Sequence, residues 1–148
     1  MKRSRRFLPV VEQARRREQE AARRLGEAQA RWRQAEAQLR QLAAYRDEYA
    51  KRLETCGTVA AARLRDYLCF LERLNQAIDQ QRALLERLEG EVEARRETWQ
   101  GLHARRRALD RVREGYLREE RREAERRDQR RLDELALAMH RRHTKSEP

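Results

Sequence analysis

Proline is almost absent from this chain, and its absence limits the folds that the chain can adopt. The two prolines are Pro9 and Pro148, and residues 10–55 contain one glycine, Gly26. Because proline and glycine are the strongest breakers of helices, an uninterrupted run of this length favours one long helix. Pro9 falls where the first turn of a helix tolerates proline. We therefore predict helix one over about 7–55.

A single break follows this run, at the sequence "ETCGTVAAA". Gly57 can end a helix in the left-handed conformation, and Thr58 can cap the first amides of the next helix. Beyond it, three glycines alone interrupt residues that favour helices. We therefore predict a turn at about 56–58, helix two over about 59–141 and a frayed tail over 142–148.

Apolar residues recur three or four positions apart along both predicted helices, which is the spacing of a seam that packs against another helix. On helix one the seam is Val11, Ala14, Ala21, Leu25, Ala28, Trp32, Ala35, Leu39, Leu42, Tyr49 and Leu53. On helix two it is Tyr67, Leu71, Leu74, Ile78, Leu85, Leu88, Val92, Trp99, Leu102 and Leu109, interrupted by Gln81, Arg95 and Arg106. A short connection makes neighbouring helices antiparallel. The predicted fold is all-α: one coiled-coil domain over 1–148, an antiparallel hairpin whose second helix is longer and overhangs.

The length of the overhang follows from the position of the turn. If the turn is centred on Gly57, residue i lies opposite about residue 114 − i, and the N-terminal end of helix one lies opposite about residue 106. The remainder includes the charged run "REERREAERRDQRR" (118–131) and then a stripe of Leu132, Leu135 and Met139. A helix held only by ion pairs between its own turns frays in water. The overhang is therefore either a solvated tail or a helix that awaits a partner.

Composition gives a weaker prediction than periodicity. Charged residues make up 43% and aromatic residues 5% of the chain, with a mean hydropathy of −1.20, and such values alone favour disorder. The net charge of +11 suggests nucleic acid or anionic lipid as a partner. However, glutamate alternates with arginine throughout, as in "EQARRREQEAARR", which is typical of solvated helix faces. We expect no binding of nucleic acid, although a basic coiled coil of that kind remains an alternative.

Residues that would support catalysis are missing from the pattern. A two-helix rod offers no cleft, and no nucleophile with a base and no phosphate-binding loop occurs. His140 and His143 lack further ligands, and Cys56 and Cys69 form no metal or disulfide pattern. The first residues resemble no signal peptide, and no segment has the ~20 apolar residues that span a bilayer. We expect a cytosolic, non-enzymatic protein without metal or cofactor.

Aromatic residues gather near the turn, where Tyr45, Tyr49, Tyr67 and Phe70 all lie. Beside the seam, each helix carries a second line at the same spacing. These lines are Gln38, Leu42, Tyr45 and Tyr49 on helix one, and Phe70, Leu74, Ala77 and Gln81 on helix two. The pairing sets Tyr45 opposite about residue 69, so the two lines join into one surface. Either the seam is unusually wide here, or this surface is a docking site.

Three segments resemble the family of the flagellar export protein FliJ. "LAAYRDEYAKRL" and "YLCFLERLNQAIDQQR" are similar to its Y-x-x-x-Y segment and the Y-x-x-F-[IL]-x-x-L-x-x-A-I-x-Q motif that follows. The tail "RRDQRRLDELALAMHRR" is similar to its D-x-[RK]-[RK]-[LM]-D-E core. The resemblance extends over nearly the whole chain and rests on the joint order of these motifs.

This resemblance implies a soluble component of the flagellar type III protein export apparatus. Members are coiled-coil stalks, similar to the gamma subunit of rotary ATPases, that insert into the ring of the export ATPase FliI. They link this ring to the cytoplasmic domain of the export gate protein FlhA, with FliH and export chaperones as further partners. The implied location is cytoplasmic and peripheral on the inner membrane at the flagellar base, with membrane association only through the apparatus. The equivalent stalk of a virulence type III injectisome is the alternative.

The resemblance also assigns a gate-binding surface. Its residues are Gln38, Leu42, Tyr45, Tyr49, Phe70, Leu74, Ala77 and Gln81. Gln81 departs from the family pattern, which can carry histidine at that position. The N-terminal segment and the overhang together would enter the ATPase ring.

Overall fold

Two long helices form the protein. The structure is a computed structural model that describes residues 2–55 and 61–146. Helix α1 spans Arg3–Thr55 and helix α2 spans Ala61–Ser146, and these described ranges contain no strand. The helices pack against each other, so the predicted all-α antiparallel hairpin is confirmed. The turn predicted at 56–58 lies outside the described residues.

The chain divides into two compact units, each built from a part of both helices. The terminal unit contains Met1–Glu18 and Leu102–Pro148, and the central unit contains Gln19–Gly101. In each unit, residues of α1 contact residues of α2 that are far away in sequence. The docking surface predicted from sequence lies entirely in the central unit.

The buried seam repeats every seven residues, which is the period of a coiled coil. On α1 the buried apolar residues are Val11, Ala14, Ala21, Ala28 and Ala35; on α2 they are Leu74 and Ile78. The four alanines stand seven positions apart, so α1 contributes a row of small side chains. Leucine and isoleucine from α2 supply the larger apolar volume.

The pairing of the helices differs from the prediction. Contacts join Ser4 to Glu120 and Phe7 to Tyr116 in the terminal unit, and Arg31 to Glu91 and Tyr49 to Tyr67 in the central unit. They set residue i opposite about residue 120 − i, instead of 114 − i. The seven-residue period of the two seams is compatible with pairings about 113 or 120, and the contacts between the helices select 120. The alternating spacing of four and three on α2 also continues to Glu120, beyond the predicted end at Leu109.

Charged side chains interrupt the seam of the terminal unit and satisfy one another there. Nδ1 of His103 lies 2.8 Å from Oε1 of Glu18, and Nε of Arg106 donates to the other oxygen of Glu18. Arg106 also donates to Asp110 over 2.7 Å, and Arg15 reaches the second oxygen of Asp110 over 3.2 Å. Partial burial raises the pKa of Glu18, but the hydrogen bonds from His103 and Arg106 outweigh it and hold this pKa below the ordinary value.

A carboxylate from α2 caps the first turn of α1. The Ser4 amide donates to Oε1 of Glu120 over 3.1 Å, and the Ser4 hydroxyl donates to Oε2 over 2.7 Å. The same two bonds hold the pKa of Glu120 below its ordinary value. A carboxylate at a helix N-terminus accepts hydrogen bonds from amides that have no partner within the helix, and its charge interacts favourably with the positive end of the helix dipole. The helix therefore begins at Arg3, four residues before the predicted start near 7, and Pro9 lies inside it.

The end of α2 extends alone. Every side chain over 121–146 is exposed, so the overhang begins near residue 121, later than the predicted pairing implied. The helix continues to Ser146, so 142–146, predicted as a frayed tail, are helical, whereas 147–148 lie outside the described residues. Local bonds join adjacent turns, such as the 3.2 Å bond from Gln129 to Asp133. The predicted overhang is present, and it is shorter than the sequence indicated.

Candidate partner-docking site

Four aromatic rings form a cluster in the central unit, between the last turns of α1 and the first turns of α2. Tyr49 is at its centre: its ring centroid lies 4.5 Å from that of Phe70, 5.5 Å from Tyr67 and 5.7 Å from Tyr45. Tyr45 also meets Phe70 edge to face at 6.1 Å, next to the residue 69 that the sequence set opposite it. We call these four residues the aromatic cluster. Such geometries are favourable for aromatic pairs, so the rings support one another's positions.

The members of the predicted surface differ in how far they reach solvent. Tyr45 is 47% exposed, whereas Leu74 is 7% exposed and lies in the seam. The half-buried members are Leu42, Tyr49, Phe70, Ala77 and Gln81, and Gln38 is exposed. Leu74 thus supports the surface from beneath, and a partner would meet Tyr45, Phe70 and Ala77.

Gln38 and Gln81 are joined across the two helices. Nε2 of Gln81 donates to Oε1 of Gln38 over 3.1 Å and to the carbonyl of Ala35 over 3.0 Å. These bonds orient the Gln38 amide and tie a polar seam position to the backbone of α1. The pair forms a polar margin beside the apolar surface.

A shallow groove of about 400 Å³ lies against the aromatic cluster. Tyr49, Tyr67 and Phe70 form its apolar side, and Arg63 and Asp66 form its charged side. A concave apolar surface with a few polar groups is suited to holding a side chain of another protein. The groove adjoins Phe70, so a partner could use both surfaces together.

Two residues belong to this region although the sequence did not assign them to the docking surface. Tyr67 was placed in the hairpin seam, but its ring is part of the aromatic cluster. Leu84 was assigned to no surface, yet it continues the line of Phe70 and Ala77 at seven-residue spacing and is half-buried. Extending that line by one further repeat of seven identifies Leu84 from the sequence.

The comparison with protein families connects this geometry to a known group of proteins. A family model described as "Flagellar FliJ protein" matches residues 2–145. The chain belongs to the FliJ family. This match confirms the resemblance that the motifs indicated. Members of the family are non-catalytic components of the flagellar export apparatus, which favours the flagellar assignment over an injectisome. No curated protein and no solved structure matches the chain.

The overhang gives this FliJ-family chain a second exposed apolar surface. Leu132, Leu135 and Met139 share one face of α2 and are 62–63% exposed, whereas Leu137, on the opposite face, is 57% exposed. The described residues of the overhang bury none of these side chains against α1. Isolated apolar residues at a surface are ordinary, but three on one face of an unpaired helix fit a binding stripe.

Other surface features of the described residues are weaker candidates. A groove of about 570 Å³ in the central unit includes Trp32, whose indole Nε1 is buried without an acceptor, but charged side chains form much of its lining. Residues 2–55 and 61–146 contain no group of three or more side chains suited to hold a metal ion. Within the same ranges, neither helix has a stretch apolar enough to cross a membrane.

Proposed function

We propose that this FliJ-family chain is a non-enzymatic stalk and adaptor in flagellar protein export. The end that carries the overhang inserts into the ring of the export ATPase FliI. The surface around the aromatic cluster binds the cytoplasmic domain of the export gate protein FlhA. The chain works on the cytoplasmic side of the inner membrane at the flagellar base, with FliH and export chaperones as further partners.

The observation that carries the proposal is the exposed aromatic surface in a chain of which 43% of the residues are charged. Tyr45 is 47% exposed although Tyr49 and Phe70 hold its ring in place. A rigid, partly exposed aromatic side chain loses little conformational entropy when a partner covers it. Aromatic residues with this arrangement often dominate the energy of an interface.

The stalk part of the proposal is supported by the overhang. Its residues 121–146 remain helical without burying any side chain against α1. Conformational entropy opposes the ordering of such a helix unless a partner covers its apolar stripe. The interior of a ring of subunits would cover all faces of a helix at once.

The gate-binding surface can be tested with a double substitution. The Tyr45→Ala, Phe70→Ala variant removes two ring contacts with Tyr49 and the exposed aromatic area. We expect its affinity for the purified FlhA cytoplasmic domain to fall on the order of 10- to 100-fold, the range for the loss of two interface aromatics. Isothermal titration calorimetry gives this affinity directly.

The matched control is Leu68→Ala. Leu68 is 54% exposed and lies two residues before Phe70, on the other side of α2. Helix content and melting temperature should be measured for each variant, so that loss of fold is separated from loss of binding. Unchanged affinity of the double variant, with its helix content retained, would contradict the proposed surface.

A further inference from the structure

We infer that the partner of the central unit binds as a third helix, lying along one flank of the hairpin. We call this the docking flank: Gln38 and Tyr45 on α1 with Phe70, Ala77 and Leu84 on α2. The inference rests on the proposed function, because it specifies how the partner meets that surface. It adds Leu84 as an anchor that the motifs did not indicate.

Periodicity provides the first argument. Phe70, Ala77 and Leu84 are seven residues apart on α2, as are Gln38 and Tyr45 on α1. Each line runs directly beside the buried seam, at the position where two packed helices form a longitudinal groove. A line with this period remains aligned with a helical partner that coils gently around the hairpin, as in a coiled coil. A loop or a flat surface would not require that period.

The boundary of the docking flank provides the second argument. The next residues of the two lines are Arg31 and Glu91, and these form an ion pair of 3.2 Å across the helices. The apolar line on α2 thus ends at Leu84, and the ion pair between Arg31 and Glu91 marks the boundary of the docking flank. From Phe70 to Glu91 the helix rises about 31 Å at ~1.5 Å per residue, which accommodates a partner helix of roughly 20 residues.

The edges of the docking flank indicate the chemistry of the partner. The exposed residues on the α1 edge are Gln34, Gln41 and Glu48, and those on the α2 edge are Asp66, Arg73, Gln80 and Arg87. An amphipathic helix with an apolar stripe, and with carboxylates where its margin passes Arg73 and Arg87, fits these edges. Ala77, between the larger Phe70 and Leu84, leaves room for one bulky apolar side chain of that helix.

The test uses the full-length chain and the purified FlhA cytoplasmic domain. Leu84→Glu should weaken binding about tenfold or more, because a charge would face the apolar stripe of the partner. Leu68→Glu introduces the same charge at an exposed leucine off the docking flank and should bind as the wild type does. Since Leu84 is half-buried, Leu84→Gln serves as a second variant, and circular dichroism confirms that each variant is folded.

Hydrogen exchange of the FlhA domain reports the binding mode. We expect protection on complex formation in one contiguous helical segment of roughly 20 residues. Protection scattered over separate loops would overturn the third-helix mode. A complex in which the flank is occupied by a second copy of this chain, seen as a Leu84-dependent dimer by light scattering, would also overturn it.

The outcomes separate the inference from the proposed function. If both Leu84 variants bind normally while Tyr45→Ala, Phe70→Ala does not, the inference is wrong and the proposed gate-binding surface stands. If all of these folded variants bind normally, both are wrong.

Discussion

Glu18 is the side chain around which the polar contacts of the terminal unit are organised. It meets His103 and Arg106 from α2, and only 15% of its side chain is exposed. Charged residues in a helix seam rarely add much net stability, but they specify which residues lie opposite one another. These contacts hold Glu18 opposite His103 and Arg106 in the observed register.

The depressed pKa of Glu18 predicts a dependence of stability on pH. Its folded pKa lies below the ordinary value of 4.5, so its carboxylate stabilises the fold above that value and loses this contribution as pH falls through the folded pKa. Glu120 acts in the same direction. Urea unfolding from about pH 6 down to about pH 3 should show the loss in the wild type.

Glu18→Gln should weaken this dependence. The variant should be less stable than the wild type near neutral pH, with a smaller difference at about pH 3, because the stabilising contribution of the carboxylate shrinks once the pH falls below the ordinary pKa of 4.5. Glu12→Gln, at an exposed position of α1, is the matched control. Parallel pH curves for the wild type and Glu18→Gln would contradict the role assigned to Glu18.

Single residues could be predicted from the sequence where the pattern that reveals them is local. Tyr45, Tyr49 and Phe70 were predicted because their own spacing shows them, and the structure brings their rings together. Glu120 was not predicted as the cap of α1, because a contact between residues 116 positions apart leaves no local pattern. The ordered start of α1 at Arg3 was missed for the same reason.

At the scale of the element, the row of alanines determines how α1 meets α2. Ala28 is 1% exposed, and its small side chain faces the larger residues of α2. Seams of this kind tolerate little added volume, because the interior of a protein is already closely packed. Ala28→Leu should therefore destabilise the hairpin by about 1–3 kcal/mol, measured by urea unfolding.

The control for this substitution lies two residues away. Ala30 is exposed on the outer face of the same helix, so Ala30→Leu should change stability by less than about 0.5 kcal/mol. If the two variants have equal stability, the alanine row is not the packed seam described above.

The helices themselves were predictable from sequence, whereas their register was only partly so. The scarcity of proline and the apolar spacing identified both helices and their antiparallel arrangement. The register was counted from Gly57, which assumes a turn position, and it missed the observed pairing by about six residues. The period of the seam positions allows pairings about 113 or 120, so the sequence alone does not decide between them and the contacts between the helices do.

At the scale of the whole molecule, the proposed function requires two separate surfaces on one chain. The docking flank lies in the central unit, and the stripe of Leu132, Leu135 and Met139 lies in the terminal unit. Each surface was visible in the sequence as apolar spacing. Their partners could not be predicted in this way, because apolar spacing indicates an exposed surface and does not identify the protein that would cover it.

The most direct test of the proposed function is a bridging measurement with immobilised FliI ATPase. We predict that the wild-type chain retains the FlhA cytoplasmic domain on the ATPase, because it binds both. The Leu132→Glu, Leu135→Glu, Met139→Glu variant should lose contact with the ATPase, since charges would replace its apolar stripe, and Leu137→Glu should behave as the wild type. The Tyr45→Ala, Phe70→Ala variant should bind the ATPase and fail to retain FlhA. Retention of FlhA that is equal with all of these variants, or without the chain, would contradict the adaptor function.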